Sequence, residues 1–212
     1  MQNTKINNSN KNELLITILM IVLIIGSIFI DLLLYVPLIY FFIERRLKKR
    51  SWNEAGVKFK NIYKDLKDNW YLIILVGIVF QFLAVYIGKS LLPEYIEHVK
   101  SRIPLFNLEN IIPLFILIIF ATLLEEIIFR AFLQERLSQN MKSVIAILIT
   151  SIIFGVAHVE YGVISIVIFD VSTIIVDSII YGLIYERSKN ILVSWIAHLL
   201  ADIVGLLLLL MV

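Results

Sequence analysis

The chain of 212 residues has no cysteine, which excludes disulfides, thiolate metal ligands and a cysteine nucleophile. It has little net charge, only +2, and its basic residues gather at the ends of apolar blocks. That pattern excludes a nucleic-acid partner. No internal repeat and no low-complexity domain breaks the chain, so it reads as a single domain, residues 1–212. A cleavable leader is not expected. Lysines precede an apolar run from Leu14, but the run is too long and no small-x-small pattern ends it. A retained membrane helix is expected there.

What the chain has in excess is hydrophobicity. It is 60% apolar, with a mean hydropathy of +0.91, where soluble domains sit near roughly 45–50%. The excess falls in long blocks, which predicts an all-α, polytopic transmembrane bundle of about six helices. Residues 1–13 read as a polar, disordered tail. The first block, Leu14 to Ile43, holds about 30 residues, more than one crossing and less than two. One long helix, tilted or kinked at Pro37, is preferred to a hairpin. Residues 44–69 form a basic, amphipathic segment expected to lie on the cytoplasmic membrane surface. Further blocks run from about Trp70 to Leu92, Ile111 to Leu137, Ser143 to Val159, Val163 to Tyr185 and Ile191 to Val212, with a loop from Pro93 to Asn110 that contains Pro104.

Lys and Arg positions set the orientation. Arg45, Arg46, Lys48, Lys49 and Arg50 mark the cytoplasmic side, and counting crossings from there puts Arg136, Lys142, Arg187 and Lys189 on it too. Both termini then lie outside, and a hairpin in the first block would move the N-terminus inside. The chain is expected to be a multi-pass protein of a bacterial cell membrane, in contact with lipid.

Charge within these blocks is costly, so each intramembrane ionisable residue is a functional candidate. Glu125, Glu126 and Arg130 stand in TLLEEIIFRAF. Positions four apart share a helical face and neighbours do not. Glu126 can therefore pair with Arg130, whereas Glu125 points toward the face of Phe129 and is the better candidate for chemistry. His158 ends the fourth block, and His198 and Asp202 share one stripe of the last. At ~1.5 Å per residue from the cytoplasmic ends, Glu125 lies roughly 15–18 Å deep, His158 about 24 Å and His198 roughly 12 Å. One shared polar cavity explains them more economically than three isolated defects. Asp170 and Asp177 leave two readings open: a lining for that cavity, or a helix that breaks near Asp170 and starts later at a wet interface.

These residues resemble a known family. EEIIFR is similar to the EExxxR motif of the CPBP (CAAX protease and bacteriocin-processing, or Abi) intramembrane proteases, FGVAH (Phe154 to His158) to their FxxxH motif, and HLLAD (His198 to Asp202) to their HxxxN or HxxxD motif. All three occur in order within residues 111–212, the expected catalytic core. The resemblance implies an intramembrane endopeptidase in which Glu125 and His158 activate a water, His198 and Asp202 hold the water or the oxyanion, and Glu126 and Arg130 shape the site. A carboxylate and an imidazole within reach of one water can serve as general base and then acid. Asp202 stands where many members have Asn. An ionised Asp only accepts hydrogen bonds, so it suits orienting His198 or joining a metal site. No cofactor is required by this reading. Zinc is the alternative, on His158, His198 and Glu125 or Asp202, and the missing HExxH spacing favours the metal-free mechanism. The substrate is then a peptide or membrane protein, in bacterial peptide maturation or bacteriocin self-immunity. The competing reading is a non-catalytic adaptor that binds a sensor kinase or toxin. A proton-coupled carrier would need repeat symmetry, which is missing.

Overall fold

Without water in hydrocarbon, the backbone must bond to itself, and runs as apolar as these answer with helices. A computed structural model describes residues 2–103 and 111–212. Among these residues all regular structure is helical and no strand forms. Eight helices result: α1 (Gln2–Gly26), α2 (Tyr35–Leu47), α3 (Phe59–Leu91), α4 (Tyr95–Ser101), α5 (Ile111–Ser138), α6 (Ser143–Ala157), α7 (Ile164–Ser188) and α8 (Ile191–Met211). Four of them, α3, α5, α7 and α8, are long and apolar enough to cross a membrane. Large apolar side chains such as Phe29, Leu32, Tyr86 and Ile112 stay exposed on the bundle exterior. An exposed apolar surface of this extent marks a lipid-facing protein, and the chain is an integral membrane protein.

The first apolar block departs from the expected single helix. It breaks after Gly26, passes through a short 3-10 turn at Asp31–Leu34, and returns as α2. Glu13, midway along α1, then meets Lys48 just beyond α2 at 2.7 Å. This block is a helical hairpin. Each arm packs against its neighbour and buries Met20, Ile24, Leu38 and Phe41 in the core beside Phe132 of α5. The turn brings Glu13 to the basic end of the bundle, beside Lys48 and Arg136, the alternative in which the N-terminus lies inside. The polar stretch at the N-terminus, expected to be disordered, is helical from Gln2. In the loop from Pro93, residues 104–110 lie outside the described residues.

The basic segment is likewise no separate surface helix. Residues 48–58 are loop and turn, and from Phe59 the chain runs unbroken through α3. At 1.5 Å per residue the 33-residue helix is about 50 Å long, against a hydrocarbon core of about 30 Å. The surplus is the front end that carries Lys60, Lys64 and Lys67. The loop is held to the core by Asn190, which is fully buried between α7 and α8. Its side chain accepts from Lys58 N at 3.2 Å, donates to Lys58 O at 3.1 Å and caps α8 through Leu192 N.

Helices α5 and α3 each contain a π-helical stretch, at Ile127–Gln134 and Leu75–Val79. Such widened turns cluster at functional sites because they re-aim side chains within an otherwise regular helix. Every residue of the α5 stretch is buried. Helix α6 is only 15 residues long and ends at Ala157. Its C-cap, His158, is therefore left inside the bundle instead of at its surface.

Candidate active site

The α5 motif divides its two glutamates. Glu126 and Arg130 are both fully buried, with Arg130 Nε 3.4 Å from Glu126 Oε2. The guanidinium continues across to α7, where Nη2 donates to Ser178 Oγ at 2.9 Å, and it lies near the rings of Phe154 and Tyr181. The other Glu126 oxygen, Oε1, accepts from His198 Nδ1 at 3.1 Å. Glu126 thus ties α5 to α8, and Arg130 ties α5 to α7.

Glu125, unlike Glu126, lines a cavity of about 490 Å³ between α3, α4, α5, α6, α7 and α8. His158, His198, Asp202, Asp177 and Tyr181 line the same cavity. Glu125 Oε1 is 3.9 Å from His158 Nε2, and its Oε2 is 3.7 Å from His198 Nε2. Asp202 Oδ1 is 3.8 Å from His198 Nε2. These separations exceed a direct hydrogen bond. They suit an oxygen atom held between the partners.

Hydrogen bonds behind the histidines fix their tautomers. A carbonyl only accepts, so His158 Nδ1–H donates to Phe154 O at 2.7 Å. The neutral ring then presents the lone pair of Nε2 to Glu125. This bond explains the four-residue spacing of FGVAH: it is the turn closing α6. His198 Nδ1–H donates to the Glu126 carboxylate, which leaves Nε2 facing Glu125 and Asp202. The carboxylate that orients His198 is therefore Glu126, at 3.1 Å, and not Asp202. Both rings pack on Phe154, with centroids at 4.4 and 5.8 Å, and Tyr181 stacks on His198 at 4.5 Å.

Among the described residues no group of three or more His, Asp or Glu side chains is placed to hold a metal ion. A catalytic zinc takes three protein ligands and an open position, and these side chains are not arranged as such a set.

The second aspartate pair splits. Asp177 lines the cavity and accepts from Gln81 Nε2 at 3.0 Å. Asp170 lies outside the cavity lining, buried against Arg102 at 3.0 Å and His98 at 3.6 Å. Helix α7 runs through both without a break, so the reading of a late helix start at a wet interface does not hold.

The resemblance noted in the three motifs is matched by comparison with protein families. Residues 107–204 match the Rce1-like family, type II CAAX prenyl endopeptidase Rce1-like. The match takes in all three motifs and stops short of α1 to α4. An uncharacterized protein of Mycoplasma capricolum subsp. capricolum is 22% identical over 165 residues, which cover 69% of this chain and 47% of that protein. The chain thus spans about half the length of this relative. No solved structure matches.

The sequence patterns did not single out Gln81, Arg102 or Tyr181 as cavity residues. For Tyr181 a signal exists: Asp177, Ser178 and Tyr181 stand at i, i+1 and i+4, a polar stripe along one side of α7. Gln81 and Arg102 come from outside the motif-bearing half, and only the packing of α3 and the α4 end against α7 brings them in.

Proposed function

We propose that the chain is an intramembrane endopeptidase that hydrolyses a peptide bond with a water activated by Glu125 and His158. The observation that carries this reading is the Glu125 carboxylate set between two imidazole Nε2 atoms in one cavity. The similarity of residues 107–204 to CAAX prenyl endopeptidases supports it.

Glu125 accepts a proton from the water as its oxygen bonds to the substrate carbonyl carbon. His158 Nε2 accepts the water's second O–H, a role its fixed tautomer leaves open. The tetrahedral intermediate collapses as the C–N bond breaks, and Glu125 returns its proton to the leaving nitrogen. A positioned carboxylate that serves as base and then acid is worth about 10²–10⁴-fold. Glu126 and Arg130 hold His198 and the three helices in register without touching the reacting atoms. The apolar part of the cavity, with Leu114, Leu117, Ile118 and Leu206, suits a substrate with a membrane-embedded or lipid-like segment.

The bacterial relative and the Lys-, Asn- and Ile-rich composition favour a role in bacterial peptide maturation or bacteriocin self-immunity. Mass spectrometry of new peptide termini in cell membranes tests the activity, comparing wild type with Glu125→Ala and His158→Ala at matched protein levels. Termini that depend on both side chains are expected. Identical termini and an unchanged immunity phenotype in all three would refute the peptidase and favour the adaptor. Zinc analysis of purified wild type and His198→Ala decides whether a metal takes part.

A further inference from the structure

A tetrahedral intermediate needs a hydrogen-bond donor for its oxyanion, and the motif-bearing residues of this chain are poor in donors. Glu125 and Asp202 accept only when ionised. Several donors elsewhere in the cavity wall are already committed. Gln81 Nε2 serves Val76 O and Asp177, Thr122 Oγ1 serves Ile118 O and Thr173 Oγ1 serves Asp170 O, while Arg102 gives Nη2 to Asp170, outside the cavity lining, and keeps a buried Nε without a partner.

Tyr181 differs. Its residue lines the cavity while its ring is almost wholly buried, lying nearly flat on His198 with planes 20° apart. Helical side chains lean toward the N-terminus of their helix, so the ring of Tyr181 reaches back along α7 over Asp177. Asp177, Asp202, Glu126 and Arg130 are the charged groups around its hydroxyl. That hydroxyl makes no hydrogen bond to any described residue. A phenol O–H held by a stacked ring beside the histidine, and uncommitted, is a preorganised donor of the kind that stabilises developing negative charge.

We propose that Tyr181 is a catalytic residue of this site, donating its phenolic hydrogen bond to the oxyanion of the tetrahedral intermediate and supplying the donor that Asp202 cannot. The proposal rests on the peptidase reading above. No proton is transferred from Tyr181. The hydrogen bond strengthens as the carbonyl oxygen takes up charge and relaxes when the C–N bond breaks.

Tyr181→Phe removes the hydroxyl and keeps the ring against His198. Purified wild type, Tyr181→Phe and Glu125→Ala are compared on a farnesylated, internally quenched peptide ending in a CAAX sequence, and on a phosphonate analogue of that peptide as inhibitor. The expected result for Tyr181→Phe is a kcat lower by about 10²–10³-fold, with KM within about threefold and Tm unchanged. The phosphonate Ki should rise in step with the fall in kcat. A purely structural role would leave the Ki-to-KM ratio unmoved. Wild-type kcat in Tyr181→Phe overturns this proposal, as does a loss carried by KM alone, and both leave the peptidase reading standing. No turnover of the peptide by wild type, joined to no Glu125-dependent termini in cells, overturns both.

Discussion

Adjacent glutamates in one motif should respond oppositely to truncation. Glu126→Ala removes the carboxylate between Arg130 and His198. All three groups are nearly sealed from solvent, with side-chain exposures of 0%, 0% and 6%. The guanidinium is left buried, with only Ser178 and two ring faces to answer its charge. Breaking a buried pair by removing one partner costs about 3–5 kcal/mol. For a chain of this size each kcal/mol moves Tm by about 2–4 °C, so a fall on the order of 10 °C is expected. Glu125→Ala removes a side chain that is 21% exposed to the cavity and makes no contact shorter than 3.7 Å to either histidine. It should shift Tm by no more than about 2 °C, the scale of a change without a buried partner, while abolishing cleavage. Tryptophan fluorescence during thermal unfolding in detergent reads both variants. Trp195 is a local reporter, since its Nε1 donates to Thr122 of α5 at 3.1 Å. A Tm fall in Glu125→Ala equal to or greater than that in Glu126→Ala would refute the division of roles.

Two further perturbations follow from the packing. Gly155 faces α7 so closely that an added Cβ would lie 2.4 Å from Ile175 Cγ1 and 3.3 Å from Val171 O. Gly155→Ala should cost about 1–3 kcal/mol of overpacking and displace His158 three residues on; an unchanged Tm with full cleavage would show that α6 and α7 can separate freely. At the basic end, burial works to raise the Glu44 carboxyl, but hydrogen bonds from Arg136 and Lys48 outweigh it and hold the group below its usual pKa. A depressed folded pKa means this anchor of the hairpin is fully present above the ordinary carboxylate range and is lost as pH falls through the folded value. Wild type should therefore lose Tm on acidification, and Glu44→Gln should lose less; matching acid profiles would show that the pair carries no stability.

How much could be read before folding varies with the residue. Glu126 and Arg130 were legible as a pair because they lie four apart on one helix, a distance that local geometry dictates. His158 and its carbonyl partner were legible as one turn of α6, although the tautomer that this bond selects needed the observed 2.7 Å contact. The bond from Glu126 to His198 was not legible. Those residues lie on different helices, and no periodicity states which carboxylate of several will reach a given imidazole. The hairpin in the first block was the less favoured of two readings because Pro37, the visible breaker, lies inside α2, while the break itself follows Gly26. The unbroken α3 was missed because charge ends a hydrophobic block without ending a helix.

The sequence by itself determined that this chain lives in a membrane, that it is helical, and which costly residues its helices carry. Composition and four-residue spacing suffice for that, because hydrocarbon forbids unpaired backbone and helical geometry is local. Tertiary structure alone decided which of those residues meet. It turned Glu125 into a cavity lined by two histidines, gave His198 to Glu126 instead of Asp202, and laid Tyr181 on His198. Such contacts depend on how α5, α6, α7 and α8 cross, and crossing is set by packing across helices that no single helix encodes.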